Sequence, residues 1–105
     1  MQARQGDIFF MIVDGVPKNS KKHPSNILAY GEVTGHSHKI ISPSISEMES
    51  FVDKKGDIYV RSDSEITVGH DEHNCVFLPS NEWICITRQR EYDPLAVEKE
   101  RRVAD

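Results

Sequence analysis

Four of the five histidines of this chain fall in two tight groups, Gly35-His36-Ser37-His38 and Gly69-His70-Asp71-Glu72-His73. Neutral imidazole is a good ligand for zinc, iron, copper and nickel. Side chains alternate along an extended segment, so His36 and His38 should point to the same face. Their Cα atoms would lie about 6–7 Å apart, close enough for both rings to converge on one ion. His70 and His73 are three residues apart, and in a turn or a single helical turn such positions share one side. We therefore expect a divalent transition metal bound by His36, His38, His70 and His73, with zinc first and iron, nickel or copper as alternatives. Three histidines and a water would make an open, catalytic site, whereas four protein ligands would make a closed one.

Proton handling has two candidates. Glu72 lies between the second pair of histidines, beside Asp71. Glu32 falls on the His36/His38 face when the strand parity is run backwards, unless Gly35 bulges and breaks it. A carboxylate at either place could orient a ligating imidazole or accept a proton from bound water. Cys75, two residues beyond His73, is a candidate soft ligand. Plainer readings stand beside these. An H-x-H pair can be two solvated rings, or one buried, hydrogen-bonded ring and one exposed. Asp71 and Glu72 can be solvated turn residues, Cys75 and Cys85 core thiols, and His23 a surface loop residue. Two paired groups on a chain otherwise poor in histidine favour the metal site. Ser37 falls on the opposite face by parity, which argues against a Ser-His relay.

The elements that must position these rings read as short strands separated by turn signals, the pattern of an all-β domain. Predicted strands cover Asp7 to Val13, Ile27 to Thr34 with an extension towards Ile41, Glu65 to Val68, and two hairpins. One hairpin turns through Asp53-Lys54-Lys55-Gly56 and the other through Pro79-Ser80-Asn81. Residues 16–26 read as a polar loop and 42–50 as a loop or an irregular edge. About seven strands make a small single-domain β-barrel or sandwich over residues 1–92. Trp83 is expected in the core or a cavity wall. Asp93-Pro94 is a helix start, an N-cap residue followed by proline, so residues 93–105 read as a short charged helix or tail. Such a helix is marginal alone in water. It is expected to serve self-association into a homo-oligomer or to bind a protein partner.

Size and composition set the remaining bounds. A length of 105 residues fits one domain. The formal net charge of −4 argues against a nucleic-acid partner bound through a broad basic surface. Arg88, Arg90, Arg101 and Arg102 are expected to pair with nearby glutamates instead. The apolar run Ile8 to Val13 is too short for a secretory leader or a membrane span. Two cysteines without a CxxC spacing make no disulfide framework, which fits a reducing cytoplasm.

The run GEVTGHSH resembles the first histidine motif of the cupin superfamily, with Gly31, His36 and His38 as the matching positions. The resemblance implies a small β-barrel with a strand-borne metal site. It is partial, because Lys39 to Ser44 holds no glutamate and no histidine follows Pro79-Ser80-Asn81. The chain also resembles small bacterial and phage-type proteins that share a GHSH…HxxH arrangement and a REYDP…RRVAD end, a likeness that carries no function. The opening QGDIFF is similar to the first strand of SH3-like barrels of the toxin nuclease type. Together these readings lead us to expect a metal-dependent enzyme that hydrolyses, hydrates or oxidises a small-molecule substrate. The alternative is a non-enzymatic module whose histidines hold a structural metal or none. An RNA-binding or RNA-cleaving barrel is the least favoured.

Overall fold

The computed structural model describes residues 2–30, 37–71 and 73–88. Across them the chain forms ten strands: β1 (Gln2–Gln5), β2 (Ile8–Val13), β3 (Lys21–Lys22), β4 (Ile27–Tyr30), β5 (Ser37–Ser42), β6 (Glu49–Val52), β7 (Ile58–Arg61), β8 (Ile66–Gly69), β9 (Val76–Leu78) and β10 (Trp83–Arg88). One 3-10 turn, Ile45–Glu47, precedes β6. Two sheets result, a six-stranded one in the order β1-β2-β10-β7-β6-β3 and a four-stranded one in the order β4-β5-β8-β9. Every pairing within them is antiparallel. The fold is thus the mostly-β domain expected from the sequence, sandwich-like rather than a closed barrel.

Alternation along the strands explains the core. On β2, Ile8 and Phe10 are buried while Phe9 and Met11 are exposed, as a period of two requires. Ile84 and Ile86 of β10 lie between Ile12 and Phe10 on one side and Val60 and Ile58 on the other. Leu28, Ile40, Ile66, Val68 and Leu78 of the four-stranded sheet join them in one apolar cluster. Each fully buried aliphatic side chain contributes on the order of 1.5–3 kcal/mol. Trp83 is not in that cluster. It faces outward and half-buried, its ring centroid 6.1 Å from that of Phe51.

The stretch expected as one strand from Ile27 towards Ile41 holds two antiparallel strands, β4 and β5, and three further expectations are corrected. First, Gln2–Gln5 is a strand of its own, joined to β2 by the two-residue turn Gly6-Asp7. Gly6 has φ +58°, as the first position of a type II′ hairpin requires. Secondly, Pro79-Ser80-Asn81 does not close a hairpin. β9 pairs with β8 and β10 pairs with β2 and β7, so the turn carries the chain from one sheet to the other. Asn81 adopts φ 61° and donates its backbone N–H to Ser62 O at 2.7 Å, just after β7, where the chain also crosses between the sheets. Thirdly, the expected polar loop 16–26 contains β3, which pairs with β6, and the stretch 42–50, read as a loop or irregular edge, holds the 3-10 turn and the start of β6. The hairpin through Asp53–Gly56 stands as expected. The expected helix or tail at 93–105 lies outside the described residues. Among the described residues no helix is long and apolar enough to cross a membrane.

Candidate functional site

The β1–β2 turn, the start of β5 and the β8–β9 connection meet at one point. His38 on β5 points inward at 1% exposure, on the same face as Ile40, while Lys39 points out. This is the parity that the sequence predicts. His70 follows Gly69 at the end of β8, and His73 lies three residues on. The ring centroids of His38 and His70 are 4.3 Å apart, those of His70 and His73 4.7 Å, and those of His38 and His73 6.1 Å. The two stretches of chain therefore do bring their imidazoles together. His36, Glu32 and Glu72 lie outside the described residues. Asp71 is exposed, and Cys75 is exposed rather than a core thiol; Cys85 is buried. His23 is no free surface residue, for its Nε2 lies 3.0 Å from Ile27 O and its backbone bonds to Ser50 at both N–H and C=O.

Two residues that sequence reasoning did not single out surround His38. The side-chain amide of Gln5 donates to Val68 O at 3.0 Å and to Asn74 O at 2.8 Å. That spends both of its N–H groups, so its carbonyl oxygen is the atom facing His38 Nδ1 at 2.9 Å. Gln5 is itself 3% exposed, and its bonds tie the β8–β9 connection to β1. On the other side of the ring, Asp7 Oδ1 lies 3.2 Å from His38 Nε2. The second oxygen of Asp7 accepts a hydrogen bond from Arg88 Nε at 2.8 Å. The order is thus Gln5–His38–Asp7–Arg88. The sequence signal for it is the Gly6-Asp7 dipeptide. Read as a two-residue hairpin rather than as the start of a strand, it places Gln5 just before one tight turn and Asp7 within it.

Gly6 completes the wall. A Cβ at this position would stand 2.8 Å from His73 Nε2 and 3.2 Å from His38 Cε1. The glycine therefore serves two needs, a positive φ and room for two imidazoles. Gly69, at the other end, makes room for the Ile41 side chain, which a Cβ there would meet.

The charge balance is uneven. Burial lowers the basicity of His38, and the neighbouring His70 lowers it further. Asp7 works against both, and the net shift is downward. Burial alone would raise the Asp7 carboxyl, but the Arg88 guanidinium and its hydrogen bond outweigh it, so Asp7 is held below the usual carboxylate range. At neutral pH the ring is therefore neutral and the carboxyl ionised. The one ring proton can sit on Nδ1 against the Gln5 carbonyl or on Nε2 against the Asp7 carboxylate, the stronger acceptor. Both ring nitrogens thus face acceptors, and a cation between Nε2 and the carboxylate, whether a proton or a metal ion, completes the pair. Among the described residues, no three His, Cys, Asp or Glu side chains already direct their donors at a single point.

Fold and site together define a small two-sheet β-domain with a buried histidine against a partly buried aspartate, and two further imidazoles at one end. The chain belongs to the DUF8820 family, described as a domain of unknown function, with residues 4–89 matched. Gln5, Gly6, Asp7, His38, His70, His73 and Arg88 all fall within that span. No curated protein and no solved structure matches the chain.

Proposed function

We propose that this protein binds a divalent transition metal at His38, His70 and His73 beside Asp7, zinc first with iron, nickel or copper as alternatives. In this reading the metal serves the hydrolysis, hydration or oxidation of a small molecule. The observation that carries it is the pair His38 Nε2 and Asp7 Oδ1. They face each other at 3.2 Å, while the other ring nitrogen is held by Gln5. That separation is longer than the ~2.7–2.9 Å of a charge-assisted hydrogen bond. It is close to the edge of a tetrahedron whose corners stand ~2.0–2.2 Å from a central zinc. A hydrogen bond on the far nitrogen of a ligating histidine is the usual way to fix tautomer and ring orientation, and Gln5 is placed to supply it.

His70 and His73 complete the set once their rings turn. His73 is exposed, so rotation about its side-chain torsions is open to it. A bound ion would supply Lewis acidity and activate water. His36 belongs to the ligand set by sequence parity, and Glu72 and Glu32 are the proton acceptors by their sequence positions. The test is elemental analysis of protein purified without a histidine tag, beside a His70→Ala/His73→Ala variant. We expect about one ion per chain in the first and loss of it in the second. Equal content in both, or none in either, would remove this reading.

One observation favours a second reading. Both nitrogens of His38 already have an acceptor, and Asp7 is in turn held by Arg88. With a proton between His38 and Asp7 in place of an ion, the four residues close a structural network in a non-enzymatic module. That reading expects no metal in the wild type.

A further inference from the structure

Next to the histidine cluster lies a second feature, a cavity of about 270 Å³ between β4 and the six-stranded sheet. Ile8, Leu28, Ile58 and Ile86 supply apolar walls, Ala29 one side, and Arg88 the charge. Three connections join it to the site. Ile8 follows Asp7 in the chain and pairs with Arg88 across β2 and β10. Ala29 pairs with His38 across β4 and β5. Arg88 itself holds Asp7 through Nε. The cavity and the His-Asp pair thus share an arginine.

We propose that this cavity is the substrate subsite of the metal centre, and that its ligand is a short-chain carboxylate, an apolar body with a single anionic head. The apolar lining takes the body. The volume falls just below the ~300–1,000 Å³ of pockets that hold drug-sized ligands, so the body is short. The guanidinium takes the head. Its fork matches a carboxylate with two parallel hydrogen bonds, and Nε alone is spent on Asp7. A monoanion suits this place better than a phosphate monoester, because Asp7 already neutralises part of the Arg88 charge and would repel a dianion. A carboxylate held at Arg88 would have its head next to Asp7 and its chain among the isoleucines. The catalytic use of the pocket rests on the metal reading above; the binding does not.

The test is a titration of full-length protein, with and without added zinc, followed by the methyl resonances of isoleucine and leucine. The probes are hexanoate, hexanol, hexylammonium and hexyl phosphate. Hexanoate should shift Ile8, Leu28, Ile58 and Ile86 saturably and leave Ile45 unmoved. Arg88→Gln should weaken it by roughly tenfold or more, the worth of a charge-assisted hydrogen bond, while Arg88→Lys should restore part of the loss. Ala29→Leu fills the space without touching the charge and should also weaken binding; the methyl spectrum of each variant reports whether it is folded. The absence of saturable shifts would overturn the proposal. So would hexanol binding as tightly as hexanoate, or tighter binding of hexyl phosphate. Hexanoate binding by a protein that takes up no zinc keeps the pocket and removes the metal. Zinc uptake without hexanoate binding does the reverse.

Discussion

Two aspartates sit in hairpin turns of this molecule, and their polar networks are built differently. Asp53, between β6 and β7, accepts the backbone N–H groups of Lys55 at 2.9 Å and Asp57 at 3.0 Å on one oxygen, and the Tyr59 hydroxyl at 3.1 Å on the other. Burial alone would raise its carboxyl, but these donors outweigh it and the net shift is downward. Tyr59 answers with a shift upward, from burial first and then from Cys85 and Asp53. Each of these side-chain contacts joins a donor to an acceptor. Asp7, between β1 and β2, has the same downward shift from a different balance. One oxygen has the Arg88 donor, and the other meets Nε2 of a buried imidazole whose Nδ1 faces the Gln5 carbonyl. A turn built only for structure pairs its polar groups. Here one imidazole meets an acceptor at each nitrogen and, when neutral, has a single proton to share between them.

The largest expected effect is on His38. His38→Ala removes a fully buried ring and leaves Gln5 and Asp7 facing the space it filled. It should cost about 2–4 kcal/mol, from the cavity and from the buried polar groups left without partners. Asp53→Ala, in a half-exposed turn, should cost about 1–2 kcal/mol. Urea unfolding of both variants checks the order. A greater loss for Asp53→Ala would mean that the turn, and not the histidine network, is the main polar anchor of the fold.

Gly6→Ala comes next, at about 1–3 kcal/mol. A positive φ disfavours any side chain with a Cβ, and the added methyl would press on His73 and His38. The β6–β7 turn supplies the control. Gly56 has φ +91°, but a Cβ there would meet nothing within 4 Å. Gly56→Ala should therefore show the backbone cost alone. The difference between the two losses in urea measures how tightly the imidazoles are packed against Gly6; equal losses would show that they yield freely.

How far the sequence reveals this comparison depends on the distance between partners. Strand parity places His38 inward and Lys39 outward, and i, i+3 spacing brings His70 and His73 to one side, because both rules act within a few residues. The Asp53–Gly56 hairpin is local in the same sense. The partners of His38 are not, since Gln5 stands 33 residues away from it and Arg88 stands 81 from Asp7. Periodicity carries no information on which polar residue meets which across a sandwich. The β9–β10 turn misleads for a related reason. Pro79-Ser80-Asn81 has turn chemistry, but only the sheet to which each flanking strand pairs decides between a hairpin and a crossing.

Acid separates the two regions by pH. The folded-state pKa of His38 lies below the ordinary 6.5, so in mild acid the unfolded chain binds more protons than the folded one. Its contribution is intact above 6.5 and is lost as the pH falls below that value. Asp53 and Asp7, both held below the ordinary 3.8, lose theirs only in stronger acid. A first decline of the urea midpoint below pH 6.5 and a second below 3.8 is the expected profile. Asp53→Asn should remove part of the second and none of the first. A flat response down to pH 4 would show that the ring holds its proton more easily than its burial implies.

The smallest effect on stability is the sharpest on function. His73 is exposed, and its truncation should change the unfolding free energy by no more than about 0.5 kcal/mol. In the structural-network reading it should change nothing else. If the cluster ligates a metal, His73→Ala removes a donor that the fold does not need, and affinity for added cobalt or zinc should fall by at least the ~10–100-fold seen when only a supporting residue is lost. Cobalt absorption on full-length protein reads the affinity, and urea reads the fold on the same samples. An unchanged cobalt spectrum in His73→Ala would take this ring out of the ligand set. The His38–Asp7 pair would then have to find its cation elsewhere, or hold a proton.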